Sequence, residues 1–144
     1  MKRITSILIA VAAMIGMSSA VAVDEVHKFK IEGGIATGKA STRDQIRDDI
    51  ALYFGRQKTP PVVKKIWEGD SSQTSSRRSQ QERCETAFAS AIIRLQSKAR
   101  SEGGNAVINI TSGSGESSET EFTCTSGRAM ARVRLHGTVV TLKK

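Results

Sequence analysis

Two cysteines, two histidines and a comb of arginines are the groups in this chain with chemistry to offer. Cys84 and Cys124 can join as a disulfide, give two thiolates to a metal, or leave one thiol as a nucleophile. A two-thiolate metal site wants further ligands and has only His27 and His136 to draw on, in distant segments, so no metal or other cofactor is implied. An even pair of cysteines in a small exported domain reads as a bridge, and closing this loop is worth about 4 kcal/mol on the chain-entropy model. A bridge also removes the nucleophile that Cys84 could otherwise become near a helix N-terminus. No Ser-His-acid or Cys-His arrangement is legible, so a non-enzymatic protein is expected; a metal-binding protein and an uncharacterised enzyme are the alternatives.

The arginines lie near the C-terminus. Arg128, Met130, Arg132, Arg134 and His136 alternate with Ala129, Ala131, Val133 and Leu135, with Lys143 and Lys144 beyond them. On a strand this pattern buries the small and aliphatic side chains and stacks positive charge along one outer face. Such a stripe is either solvated or met by an anionic partner. One further motif is a near miss. Gly33-Gly34-Ile35-Ala36-Thr37-Gly38-Lys39-Ala40 approaches the phosphate-binding G-x-x-x-x-G-K-[ST] loop, but Ala40 has no hydroxyl to hold magnesium, and a Gly-containing turn is expected there instead.

These residues need a scaffold, and its centre is the stretch from Gln80 to Thr111. Ser79 and Glu82 stand in S-x-x-E spacing, which fixes a helix start. Cys84, Ala87, Phe88, Ala91, Ile92, Leu95 and Ala99 then recur at three- and four-residue steps, a single buried stripe. Arg83 and Gln96 fall among the polar residues assigned to other faces. Gly103 and Gly104 end the helix, about 34 Å after it began, and Asn105 to Thr111 switches to a period of two, with Ala106, Ile108 and Ile110 expected on one face.

Before that core the chain offers an exposed strand, with His27, Phe29 and Ile31 opposite Val26, Lys28 and Lys30. A half-buried strand follows at Ile50, Leu52 and Phe54, ended by Gly55, then a proline turn at Lys58 to Pro61 and a strand from Val62 to Glu68 that carries Trp67. Residues 70–79 read as a polar linker that could extend the strand, and 112–119 as a flexible Gly/Ser loop. Phe122 and Cys124 share one strand face, which would bring Cys124 to the helix's first turn. The fold class predicted is α+β: one long helix on a mainly antiparallel sheet of about five strands, in a single domain, 23–144.

Residues 1–22 open with Lys2 and Arg3, continue through a short apolar run and close on Ala20-Val21-Ala22, the pattern of a cleaved secretory signal peptide. Its removal takes Lys2 and Arg3 and no acid, so the net charge of +8 falls to +6. No cysteine lies near the cleavage site to take a lipid, so the mature protein is expected to be periplasmic or secreted, without stable membrane insertion. Aromatic residues make up 4% of the chain, too few for a base-stacking surface, and nucleic acid is therefore not an expected partner.

The run Lys98-Ala99-Arg100-Ser101-Glu102-Gly103-Gly104-Asn105-Ala106-Val107-Ile108-Asn109-Ile110, preceded by Cys84 and followed by Cys124 and an alternating strand, resembles the helix-to-strand core of the RcsF-type outer-membrane stress sensors and the wider YbjQ-like family. With Tyr53-Phe54-Gly55-Arg56-Gln57 ahead of the Cys-bearing helix, it is similar also to small secreted proteins often labelled excinuclease subunits. The resemblance implies a small α+β module of the bacterial envelope. RcsF-type proteins are lipid-anchored and carry two bridges, whereas this chain has no lipidation cysteine and one bridge at most, so their signalling role does not transfer directly. The excinuclease label would need a complete ATP-binding loop and zinc-spaced cysteines, and neither is present. The function expected is a disulfide-stabilised envelope module that binds a protein or an anionic envelope polymer, with Arg128, Arg132, Arg134 and His136 as the candidate contact.

Overall fold

The long helix forms where the apolar stripe places it, and the remaining elements are laid against it. The computed structural model describes residues 24–113, 115 and 117–144, so the expected signal peptide, 1–22, and Ser114 and Glu116 of the 112–119 loop lie outside the described residues. The helix, here α2, spans Gln80–Glu102. Ser79 caps it by accepting from the Glu82 N–H at 3.1 Å, and Gly103 ends it in the left-handed conformation, φ 79°. All seven residues of the expected stripe are buried.

Among the described residues, six strands make one sheet. They are β1 (Glu25–Lys30), β2 (Ala51–Phe54), β3 (Val62–Ser75), β4 (Ala106–Ser112), β5 (Glu121–Ser126) and β6 (Ala131–Leu142). The long β6 is central. Along one edge it pairs antiparallel with the whole of β3; along the other it pairs first with the end of β5 and then with β4. Two wings therefore share one edge of β6: β5 carries β1, and β4 carries β2. The β2–β4 pair is parallel, because α2 supplies the crossover that returns the chain in the same direction. The sheet is thus six-stranded, against the expected about five, and mixed: four of its strand pairings are antiparallel, as expected, and β2–β4 is parallel.

A second helix corrects the single-helix expectation. Ile31–Lys39 is not a turn but α1, despite its three glycines. Propensity argues against it, and packing overrides propensity. Gly34 lies so close to α2 that a Cβ there would stand 2.3 Å from Phe88 Cδ1, and a Cβ at Gly38 would meet Ile46 at the same distance. The glycines are the contact surface.

Three local departures have physical causes. Asn109 adopts φ 52° at a β-bulge, which breaks the period of two. Ile110 consequently joins Val107 in the core under α2, while Ala106 and Ile108 form a small second cluster with Val140, Leu142, Ala51 and Tyr53. The polar stretch 70–79 divides, its first six residues continuing β3 on the edge of β6. Arg83 and Gln96 are buried because neighbouring loops fold over the flanks of α2. Gln96 donates to the carbonyls of Arg47 and Ile50 at 2.7 and 2.9 Å and accepts from the Arg47 N–H at 3.1 Å. At the end of α2, Arg100 grips Asp49 with two bonds, of 2.6 and 2.7 Å.

Cys84 and Cys124 are joined, fully buried, with Cα atoms 5.7 Å apart. This is the bridge the sequence predicts, and it suits an oxidising, extracytoplasmic location. Replacing both cysteines by alanine is expected to cost about 4 kcal/mol in urea unfolding, on the loop-closure model for a separation of 40 residues; an unchanged unfolding midpoint would show that the bridge adds nothing. Gly34→Ala should destabilise by a net of about 1–2 kcal/mol, since overpacking against Phe88, at about 2–3 kcal/mol for so close an approach, outweighs the helix propensity gained, of about 1 kcal/mol. A stabilised variant in the same assay would mean that α1 does not depend on this approach.

Candidate functional site

Arg132, Arg134 and His136 alternate on β6 as expected, facing away from α2, while Arg128 precedes the strand in the 127–130 turn. Their neighbours across the strand pair change their meaning. The register sets Asp70 opposite His136, Ser72 opposite Arg134 and Thr74 opposite Arg132. Asp70 accepts from Arg134 Nε at 3.0 Å and from His136 Nδ1 at 2.8 Å. Glu68 meets His136 Nε2 at 3.1 Å and also accepts from Lys65.

The lower half of the stripe is therefore a neutralised network rather than a bare positive surface. Hydrogen bonding to Asp70 first, then Glu68, raises the His136 pKa above 6.5. Bonding from Arg134 first, then His136, lowers Asp70 below 3.8, and Lys65, then His136, lowers Glu68 below 4.5. Both imidazole nitrogens face carboxylates, so His136 has no free nitrogen with which to take a proton from a substrate. Sequence reasoning missed Glu68 and Asp70, although their alternation with Ser72 and Thr74 was the available signal.

The two histidines are not brought together. His27 sits in β1, two strands from β6, with Nε2 2.9 Å from Gln80 Nε2 and 3.4 Å from Glu25. Among the described residues no group of three or more His, Cys, Asp or Glu could hold a metal ion.

Arg128 and Arg132 behave differently from Arg134. Neither has a hydrogen-bond or ion-pair partner among the described residues. Together with Arg77 and Arg78, which follow the end of β3 and are likewise exposed and unpaired, they gather at one pole of the molecule. A buried residue builds that pole. The Arg83 guanidinium donates to the carbonyls of Arg77 and Arg78, both at 3.1 Å, and to that of Gly127 at 3.4 Å. It thereby ties the segment after β3 to the turn before β6, and the side chains of Arg77, Arg78 and Arg128 project from the tied loops. Between them, Arg128, Arg132, Thr74, Met130 and Asp24 line a depression of about 390 Å³.

Two larger concavities flank α1. One, of about 640 Å³ beside β2, has an aliphatic floor, and its rim lysines Lys30 and Lys39 are paired with Glu121 and Asp48. The other, of about 1120 Å³, runs between the 40–44 loop and the outer face of α2. Its arginines, Arg43, Arg77 and Arg94, are unpaired among the described residues.

The ionic network on β3 and β6 makes a pH prediction. The carboxylates, whose folded pKa values are depressed, stabilise the fold above their unfolded values, and this is lost as pH falls through the folded ones. His136, whose folded value is raised, stabilises below about 6.5, and this is lost as pH rises through its folded value. The network is complete between about pH 4.5 and 6.5. In an NMR titration the His136 midpoint should lie above 6.5 and drop in Asp70→Asn; a midpoint that ignores the substitution would remove Asp70 as the cause. No helix among the described residues is long and apolar enough to cross a membrane. Neither a family model nor a curated protein matches the chain.

Proposed function

We propose that this protein is an exported, periplasmic or secreted, non-enzymatic module that binds an anionic component of the cell envelope, either a polymer or an acidic protein surface. The observation that carries the reading is the pole: four exposed arginines without ion-pair partners among the described residues, Arg77, Arg78 and Arg128 on loops that a buried guanidinium holds together and Arg132 at the start of β6 beside them. Like charges held this close repel one another unless an anion is supplied, and ordering the loops beforehand lowers the entropy lost on binding. By contrast Arg134 and His136, part of the original stripe, are already satisfied by Asp70 and Glu68 and are assigned a structural part.

An oxidised cysteine pair supports export, because such bridges persist outside the reducing cytoplasm. It also leaves no thiol for catalysis or for metal among the described residues. The helix-to-strand run that resembles RcsF-type and YbjQ-like proteins is in keeping with an envelope role, including one in stress sensing.

Binding of the oxidised mature chain to an isolated envelope fraction should weaken steeply between about 50 and 200 mM salt. Arg128→Ala combined with Arg132→Ala should weaken it by about tenfold or more, since each lost charge-assisted hydrogen bond is worth about 1.5–3 kcal/mol. Arg134→Ala should matter less. Retention that is indifferent to salt and to the double substitution would rule the pole out.

A further inference from the structure

The groove between the 40–44 loop and α2 combines three kinds of polar group on one concave surface. Arg43, Arg77 and Arg94 bring unpaired guanidiniums, Asp44 and Glu82 bring carboxylates, and Thr42, Thr86 and Ser90 bring hydroxyls. A site for a bare polyanion would not place two carboxylates among its cations, because like charge facing the ligand costs affinity. A site for a neutral sugar has no use for three unpaired guanidiniums. The mixture fits a ligand that carries both many hydroxyls and some negative charge: carboxylates and Ser/Thr oxygens accept from hydroxyls, while guanidiniums take acidic groups with two parallel bonds.

Shape and lining point the same way. At about 1120 Å³ the groove is larger than the other concavities described. Its one large aliphatic contact, Ile93, is half-buried, and no aromatic ring lines it, which excludes base stacking. Protein partners anchor through large apolar or aromatic side chains in fitted pockets, and this lining offers none. Arg77 lines the groove and also stands at the basic pole, so a chain lying in one reaches the other.

We infer that this groove binds an acidic glycan, a sugar chain bearing carboxylate or phosphate groups, which runs from the 40–44 loop along α2 to the pole. The inference rests on the anionic-partner reading above and narrows it to one class of polymer. Arg43 and Arg94 grip the acidic groups, and Asp44, Glu82 and the hydroxyls hold the sugar.

The test is calorimetric titration of the oxidised mature chain at low salt with four probes: an alginate hexasaccharide, a phosphomannan oligosaccharide, poly-L-glutamate of matched charge, and neutral maltohexaose. At least one acidic glycan is expected to bind about tenfold tighter than poly-L-glutamate, and maltohexaose weakly or not at all. Alginate against phosphomannan decides between carboxylate and phosphate. Arg43→Ala with Arg94→Ala should abolish the glycan's advantage and leave poly-L-glutamate binding unchanged; both side chains are exposed and bond to nothing described, so the fold should survive, as an unshifted melting temperature would verify. Equal affinities for glycan and polyglutamate, or a glycan preference that persists in the double variant, would overturn the groove while leaving the pole in place. Absence of binding by every anionic probe would overturn both.

Discussion

Phe88 stands where every part of this molecule has to meet. Because two wings share one edge of β6, β5 with β1 and β4 with β2, the sheet alone leaves a seam between them that backbone hydrogen bonds do not close. The seam is closed from above. Phe54 of β2, Phe88 of α2, Phe122 of β5 and Phe29 of β1 form a continuous string with centroid separations of 6.1, 4.3 and 6.1 Å, and these are all four phenylalanines in the chain. Interleaved rings of this kind add about 0.5–1.5 kcal/mol per pair beyond the area they bury. The aromatic content is low, but every phenylalanine is spent in one place, with only Trp67 and Tyr53 outside the string. Gly34 follows from the same constraint, since α1 can only cover the string by approaching the Phe88 ring without a side chain of its own.

This explains which features could be read from the residues and which could not. The start, stripe and stop of α2, the bridge and the outward arginines of β6 were legible because each is written in a local pattern: a cap, a 3.6-residue period, a pair of cysteines, an alternation. Helix α1 was not, since Gly33, Gly34 and Gly38 argue against a helix in isolation and favour it only in contact with α2. The phase change at Asn109 was hidden for a similar reason: a bulge is decided by the partner strand, and Ile108 and Ile110 look equivalent until β6 is paired with them. Arg83 and Gln96 looked like solvent-facing residues on α2. They are buried because separate loops, near 127 and from 47 to 50, come to rest on its flanks.

The distribution of charge has the same logic. A basic comb on β6 was visible, but half of it is answered by Glu68 and Asp70, whose positions depend on β3 running on through a stretch that is polar and reads as linker. Cross-strand pairing of opposite charges makes that half a cheap, solvent-screened stabiliser of a long two-strand edge. What remains unpaired of the comb, Arg128 and Arg132, lies at the end of the sheet, in the turn before β6 and at the start of that strand. Positive charge is therefore concentrated away from the part of the surface that the fold uses for its own cohesion.

The bridge matters to that end of the molecule more than its distance from the arginines suggests. Cys84 is adjacent to Arg83, and both lie in the first turn and a half of α2, beyond the Ser79 cap. Three constraints from three segments thus converge on one helix start: the cap from the incoming chain, the sulfur link to β5, and the carbonyls of Arg77, Arg78 and Gly127 on the Arg83 guanidinium. A helix end held only by its cap frays. Tethered to β5, it presents Arg83 at a fixed height, and the loops whose carbonyls accept from its guanidinium inherit that order. Burying a guanidinium is costly unless its donors are used, so the loops cannot drift from Arg83 without exposing that cost. The oxidised cysteines thereby do more than stiffen the core: they help hold together the loops that carry Arg77, Arg78 and Arg128, the arrangement on which the proposed anion binding rests.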